Sequence, residues 1–85
     1  MVPSYLVEAF VPRLRGSEVR KAARRARAAA EELAGEGTPI RYVRTTFLPD
    51  DETCFYVFVA PSAAVVEELG RRASLAGIRI VKVVE

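Results

Sequence analysis

The 85-residue sequence predicts a two-layer α+β sandwich with the element order β-α-β-β-α-β. Four short segments are rich in β-branched and aromatic residues, two longer segments repeat apolar residues at helical spacing, and turn residues separate them. Right-handed crossovers then place the first and third strands at the centre of an antiparallel sheet, in the spatial order 4-1-3-2. This is the ferredoxin-like arrangement, and the length fits a single domain over residues 1–85.

The first half of the chain is predicted to hold a strand, a helix and a second strand. The first strand covers Ser4–Phe10, an apolar segment flanked by two prolines. The helix covers residues 18–34, with Ser17 as its N-cap and Gly35 as the residue that stops it. Its apolar stripe is mostly alanine, so this helix must pack close to the sheet. The second strand covers residues 38–48, which are enriched in β-branched and aromatic residues.

The second half repeats the pattern after an acidic turn at residues 49–52. The third strand covers residues 53–60 and is the most strongly β-forming segment of the chain. A second helix begins at Pro61-Ser62 and extends to Arg72 or Ala73, and a final strand covers residues 78–84. Since four turn residues permit only a hairpin, the second and third strands must be antiparallel.

Composition excludes several kinds of chemistry. The chain contains no histidine, which removes the commonest general base and the usual zinc and Ser-His-Asp or Cys-His sites. Its one cysteine, Cys54, cannot form an internal disulfide, and we interpret it as a small half-buried apolar residue. No apolar segment is long enough to span a membrane, and the start lacks a basic signal-peptide region, so a cytoplasmic location is expected.

Charge gives no strong indication of a polyanionic partner. Thirteen basic and eleven acidic residues leave a formal charge of +2. Arg20, Arg24 and Arg27 follow one side of the first helix, as expected for a solvated helix face. The third strand lacks the RNP1 pattern of RNA-binding sheets. Nucleic-acid binding is therefore not expected.

Alternation along the strands predicts an uncovered apolar face. The third strand is apolar on both sides, unlike a strand with one side in water. If Val7 and Val57 face the helices, the opposite face carries Leu6, Glu8, Phe10, Cys54, Tyr56 and Phe58. A patch of this size is not expected to stay in water on a monomer. The sequence therefore predicts a homodimer joined through this face, or a small-molecule site on it.

Two segments, YLVE at residues 5–8 and FYVFVAPS at residues 55–62, resemble a family of small ferredoxin-like bacterial proteins of largely unknown function. The best-known members of that family are described as nickel-binding, so the resemblance implies the fold and a site on a sheet face. The family's glutamate is present as Glu8. Its histidine is replaced by Arg44, and its cysteine and glutamate on the third strand by Tyr56 and Val59. A guanidinium cannot coordinate a metal, so we predict no metal site and no cofactor.

The role of Glu8 separates the functional hypotheses. It is predicted to form an ion pair with an arginine on a neighbouring strand, with Arg44 as a candidate, and then only orients an interface. Alternatively, burial raises the pKa of Glu8 toward neutrality. Glu8 would then act as a general acid or base, together with the Tyr56 hydroxyl, in a cofactor-free cyclase or isomerase. The hypotheses are thus a dimeric interaction or small-molecule-binding module, such an enzyme, or a nickel-binding protein as in the resembled family.

Overall fold

The computed structural model describes residues 3–75 and 77–84 and has the predicted ferredoxin-like fold. Within these residues, one antiparallel sheet has the strand order β2-β3-β1-β4, and two helices cover one of its faces. The strands are β1 (Ser4–Phe10), β2 (Arg41–Leu48), β3 (Thr53–Val59) and β4 (Ile78–Val83). The helices are α1 (Glu18–Gly35) and α2 (Ala63–Arg72). Short 3₁₀ turns occupy Arg13–Arg15 and Pro49–Asp51.

The ends of α1 differ from the prediction. Ser17 has a helical backbone conformation and makes no side-chain capping hydrogen bond. The helix continues through Gly35, and Gly37 ends it with a φ of 94°. The Gly37 N–H donates to the Ala34 carbonyl at 3.1 Å, which is the usual way a left-handed glycine satisfies the last turn.

Both ends of α2 are closed by local hydrogen bonds, and Ser74 and Leu75 after its last turn lie beside a cavity on the helix side of the sheet. Ser62 caps the helix by accepting a hydrogen bond from the Val65 N–H at 3.4 Å. At the other end Ser74 adopts a left-handed φ of 56°, in the position where glycine is commonest. The Leu75 N–H then donates to the Gly70 carbonyl at 2.9 Å, which closes the last turn.

The register of β1 against β3 corrects the predicted faces. Val7 pairs with Tyr56 rather than with Val57. Because side chains alternate along a strand, this shift of one residue moves Cys54, Tyr56 and Phe58 to the side of the helices. All three are at most 1% exposed. Their predicted place on the uncovered face is therefore wrong.

The core lies between the sheet and the helices, and small side chains let the layers approach. From α1 and α2 the buried residues are Ala26, Ala29, Ala30, Leu33, Val66, Leu69 and Gly70. At Gly70 the approach is close, because a Cβ there would come within 2.9 Å of the Ile78 Cδ1 atom on β4. The alanine stripe of α1 thus packs as the sequence predicted.

The other side of the sheet, called here the open face, is covered by neither helix. By the strand register its apolar residues are Leu6, Phe10, Leu48, Phe55, Val57, Val59, Val81 and Val83. Phe10 and Leu48 are 64% and 40% exposed. Of the predicted site residues, Leu6, Glu8, Phe10 and Arg44 lie on this face. An apolar uncovered face is therefore present, with a different set of β3 side chains from the one predicted.

Candidate functional site

Glu8 lies on the open face and forms an ion pair with the strand next to it. Its Oε2 atom is 3.4 Å from Nη1 of Arg79, the residue opposite it on β4. The predicted pairing with a neighbouring arginine is present, but Arg44 is not the partner. Arg44 lies on β2 opposite Val57, so that β3 separates it from Glu8. An exposed pair of this length contributes at most about 1 kcal/mol, so it orients side chains more than it stabilises the fold.

Glu8 and Tyr56 do not belong to one site. Tyr56 is opposite Val7, the neighbour of Glu8 along β1, so the two side chains point to opposite faces of the sheet. Tyr56 lies under the helices and is 1% exposed, whereas Glu8 is on the open face. The predicted acid–base pair of these two residues is therefore wrong.

Cys54 and Tyr56 are adjacent buried acids on the helix side of β3. Burial raises the pKa of the Cys54 thiol, and the nearby Tyr56 hydroxyl opposes this only in part. Burial, and to a smaller extent the nearby Cys54 thiol, raise the pKa of the Tyr56 hydroxyl far above its ordinary value. Both groups are therefore neutral at physiological pH. Cys54, at 0% exposed, is more deeply buried than predicted and is not placed to act as a nucleophile.

One small depression lies on the open face. Its volume is about 190 Å³, and it lies between the ends of β1 and β4 beside Glu8, Phe10, Thr53 and Arg79. The rest of the face is a sheet surface with two arginines, Arg41 and Arg44, on the edge strand β2. Its geometry suits contact with another surface better than enclosure of a small molecule.

A larger cavity lies on the helix side, where β1 ends and α1 begins, and we call it the basic pocket. Its volume is about 410 Å³. The lining is formed by Ala9, Phe10, Val11, Pro12, Arg15, Glu18, Val19, Lys21, Ala22, Arg25, Tyr56, Ser74 and Leu75. Two predicted site residues, Phe10 and Tyr56, line this pocket. Arg20, Arg24 and Arg27, the helix cations considered from the sequence, are not among its described lining.

Hydrogen bonds hold two sides of the basic pocket in place. Nε of Arg25 donates to the carbonyl of Ala73 at 2.8 Å, which ties α1 to the end of α2. On the opposite side the Val11 N–H donates to the Glu52 carbonyl at 2.9 Å. The Arg13 N–H donates to Oε2 of Glu52 at 2.8 Å. The acidic turn therefore anchors the segment that leads from β1 to α1.

The acidic turn does not gather ligands for a metal. Asp50 lies 3.6 Å from an Arg13 nitrogen, and the Glu52 carboxylate accepts the backbone hydrogen bond already described. In the part of the chain that the structure describes, no three Cys, Asp or Glu side chains are grouped as a metal site requires.

No protein-family model, curated protein or solved structure matches this chain. The resemblance to the nickel-binding family therefore stays a prediction. Within residues 3–75 and 77–84, no helix combines the length and apolar character needed to cross a membrane.

Proposed function

We propose that this protein is an interaction module that forms a homodimer through its open face. The observation that carries the proposal is the row of apolar side chains that neither helix covers. Leu6 and Val57 lie side by side at the centre of the sheet, and Val81 continues the row onto β4. Leaving this surface in water forgoes about 25 cal/mol for each Å² of apolar area that a partner would cover.

The size of the face indicates how much of it a dimer must use. Four strands about 4.8 Å apart and about 20 Å long present roughly 400 Å² of flat area, and more when side-chain relief is counted. A specific interface needs about 500 Å² from each partner. The dimer therefore has to use the whole face, including Phe10 and Leu48 at its end.

The charges on the face are compatible with a second copy. A two-fold interface brings the same patch together from both copies, so its centre has to be apolar or internally paired. Among the described residues, the only acid on the face is Glu8, which is already paired with Arg79. Arg41 and Arg44 lie on the edge strand, where a rim position lets them remain hydrated.

A catalytic alternative is not supported by the same geometry. The cyclase or isomerase hypothesis required Glu8 and Tyr56 to act on one substrate. Since they face opposite sides of the sheet, no single small substrate reaches both. The dimer is therefore the function that the open face supports best.

The test compares one substitution on the open face with one away from it. We expect light scattering to give the wild type a mass of about twice 9.4 kDa. Val57→Arg places a charge at the centre of the face and is expected to give a monomer with unchanged far-UV circular dichroism. Leu14→Arg makes the same change at a leucine that is 97% exposed outside the face, and it should stay dimeric.

A monomeric wild type at protein concentrations of ~100 μM would overturn the proposal, because the proposed dimer would then have a dissociation constant too high for it to be the main form of the protein. A dimer that Leu14→Arg disrupts and Val57→Arg leaves intact would place the interface elsewhere.

A further inference from the structure

We propose that the basic pocket binds a small organic carboxylate with an apolar body. The pocket lies on the helix side of the sheet and shares with the open face one residue, Phe10 at the end of β1, so its test does not require the homodimer. Its lining has three features that suit such a ligand: cations without ion pairs among the described residues, a buried hydroxyl, and apolar walls.

The cations come from two elements that converge on the pocket. Lys21 and Arg25 are four residues apart on α1 and therefore share a helix face. Arg15 reaches the same cavity from the preceding 3₁₀ turn. None of the ion pairs among the described residues involves these three side chains. With Glu18 as the one acid in the described lining, the net charge favours a small anion.

Arg25 is oriented for binding by the hydrogen bond of its Nε to Ala73. That bond uses one of the five N–H groups of the guanidinium and restricts the side chain. The two terminal nitrogens keep their protons free for an acceptor, and their planar geometry matches the two oxygens of a carboxylate. Holding the side chain in place before binding reduces the entropy lost when a ligand binds.

The Tyr56 hydroxyl supplies a donor deeper in the cavity. A tyrosine hydroxyl is protonated at physiological pH, and burial raises its pKa further, so it can donate to an anion and does not repel it. The Tyr56 side chain is 1% exposed, and Arg25 is close enough for its charge to act on the hydroxyl. An anion that contacts Arg25 is therefore placed near a protonated donor.

The walls determine the class of ligand. Phe10, Val19, Ala22 and Leu75 give the cavity an apolar lining beside its cations. A bare inorganic ion would leave that lining exposed to water, whereas an aryl or alkyl carboxylate covers it. The volume of about 410 Å³ lies at the lower end of the range for small-molecule sites, about 300–1,000 Å³.

The test is a titration of the ¹⁵N-labelled protein with 3-phenylpropionate, followed by amide chemical shifts. We expect saturable shifts confined to the pocket lining. Arg25→Gln should weaken binding roughly tenfold or more, since it removes a charged hydrogen-bond donor. Arg24→Gln is the matched control, because Arg24 is exposed on the same helix and does not line the pocket. This control should bind like the wild type.

Two further arms distinguish the chemistry of the ligand. The neutral alcohol 3-phenylpropanol tests whether the ligand needs its negative charge. Inorganic phosphate tests whether the ligand needs its apolar body. Both should bind more weakly than 3-phenylpropionate. Arg25→Gln also removes the Arg25–Ala73 hydrogen bond and could disturb the fold. Lys21→Gln and Tyr56→Phe keep that hydrogen bond, and each should also weaken binding of the carboxylate.

Several results would overturn the proposal. These are the absence of saturable shifts with 3-phenylpropionate up to ~10 mM, equal binding of the alcohol, or equal losses in Arg24→Gln and Arg25→Gln. Tighter binding of phosphate than of the carboxylate would also contradict the assigned ligand class.

Discussion

At the scale of single residues, the molecule buries two weakly acidic groups next to each other. Cys54 and Tyr56 are neighbours on one side of β3, and burial raises the pKa of both. A neutral thiol and a neutral phenol fit a core, and the phenol also provides the floor of the basic pocket. Their effect on stability must appear at alkaline pH, because only there does the unfolded chain lose the protons that the folded chain retains.

Tyr56 is expected to make the fold sensitive to alkali. In the unfolded chain tyrosine titrates near pH 10, and in the folded chain the raised pKa keeps Tyr56 protonated above that pH. The folded state then holds more protons, so the free energy of unfolding falls as the pH rises above about 10. Urea unfolding between about pH 8 and 11 should show this decline in a Cys54→Ala background, where the thiol no longer contributes. Adding Tyr56→Phe should flatten it. An equally steep decline without Tyr56 would contradict the assignment.

At the scale of elements, the strand and helix limits followed from the sequence, but the faces of β3 did not. The prolines, Gly77 and the acidic turn marked the limits of the strands to within a few residues. Because β3 is apolar on both sides, its alternation carries no information about which side meets the helices. The register against β1 decides that, and assuming that Val7 and Val57 share a face placed Tyr56 on the wrong side.

The basic pocket had no sequence signal for a related reason. Its lining comes from the end of β1, the start of α1, Tyr56 on β3 and the residues after α2. These segments are far apart in the chain, so only the fold brings them together. The spacing of Lys21 and Arg25 on one helix face was visible in the sequence, but the same spacing is typical of any solvated helix.

Between elements, Arg72 links the two helices in addition to the Arg25–Ala73 hydrogen bond. Arg72 on α2 lies 2.6 Å from a Glu32 oxygen, 2.8 Å from a Glu36 oxygen and 2.9 Å from a Glu68 oxygen. Hydrogen bonds from Arg72 lower the pKa of Glu36, and those from Arg72 and Arg71 lower the pKa of Glu68. The network joins the end of α1 to α2 across the helix layer.

Arg72→Met is expected to lower the thermal unfolding midpoint by a few degrees at low salt, with a smaller loss near 1 M NaCl because the network is exposed and screened. The contribution is complete above the ordinary glutamate pKa of about 4.3. It is lost as the pH falls through the lowered folded pKa values, so wild type and variant should converge in acid. Arg20→Met is the matched control on an exposed helix position outside this network. A loss that neither salt nor acid reduces would indicate a packing role instead.

At the scale of the whole molecule, the described chain is thin. Its principal extents are 37, 27 and 18 Å. The shortest of these is the thickness of one helix layer on one sheet. A core of this size is marginal for a chain without disulfide bonds. A second copy packed on the open face would turn two layers into four, helix-sheet-sheet-helix, with both sheets buried. The basic pockets would remain on the outer sides, accessible to ligand.

The contact between the two sheets can be observed directly by isotope-filtered NMR. Mixing ¹³C-labelled and unlabelled protein in equal amounts restricts the filtered nuclear Overhauser effects to pairs of protons in different copies. We expect such effects at the methyl groups of Leu6, Val57 and Val81, which lie together at the centre of the open face. Two results would contradict the account. One is intermolecular effects confined to the helix side, and the other is the absence of such effects together with a mass that stays that of one chain.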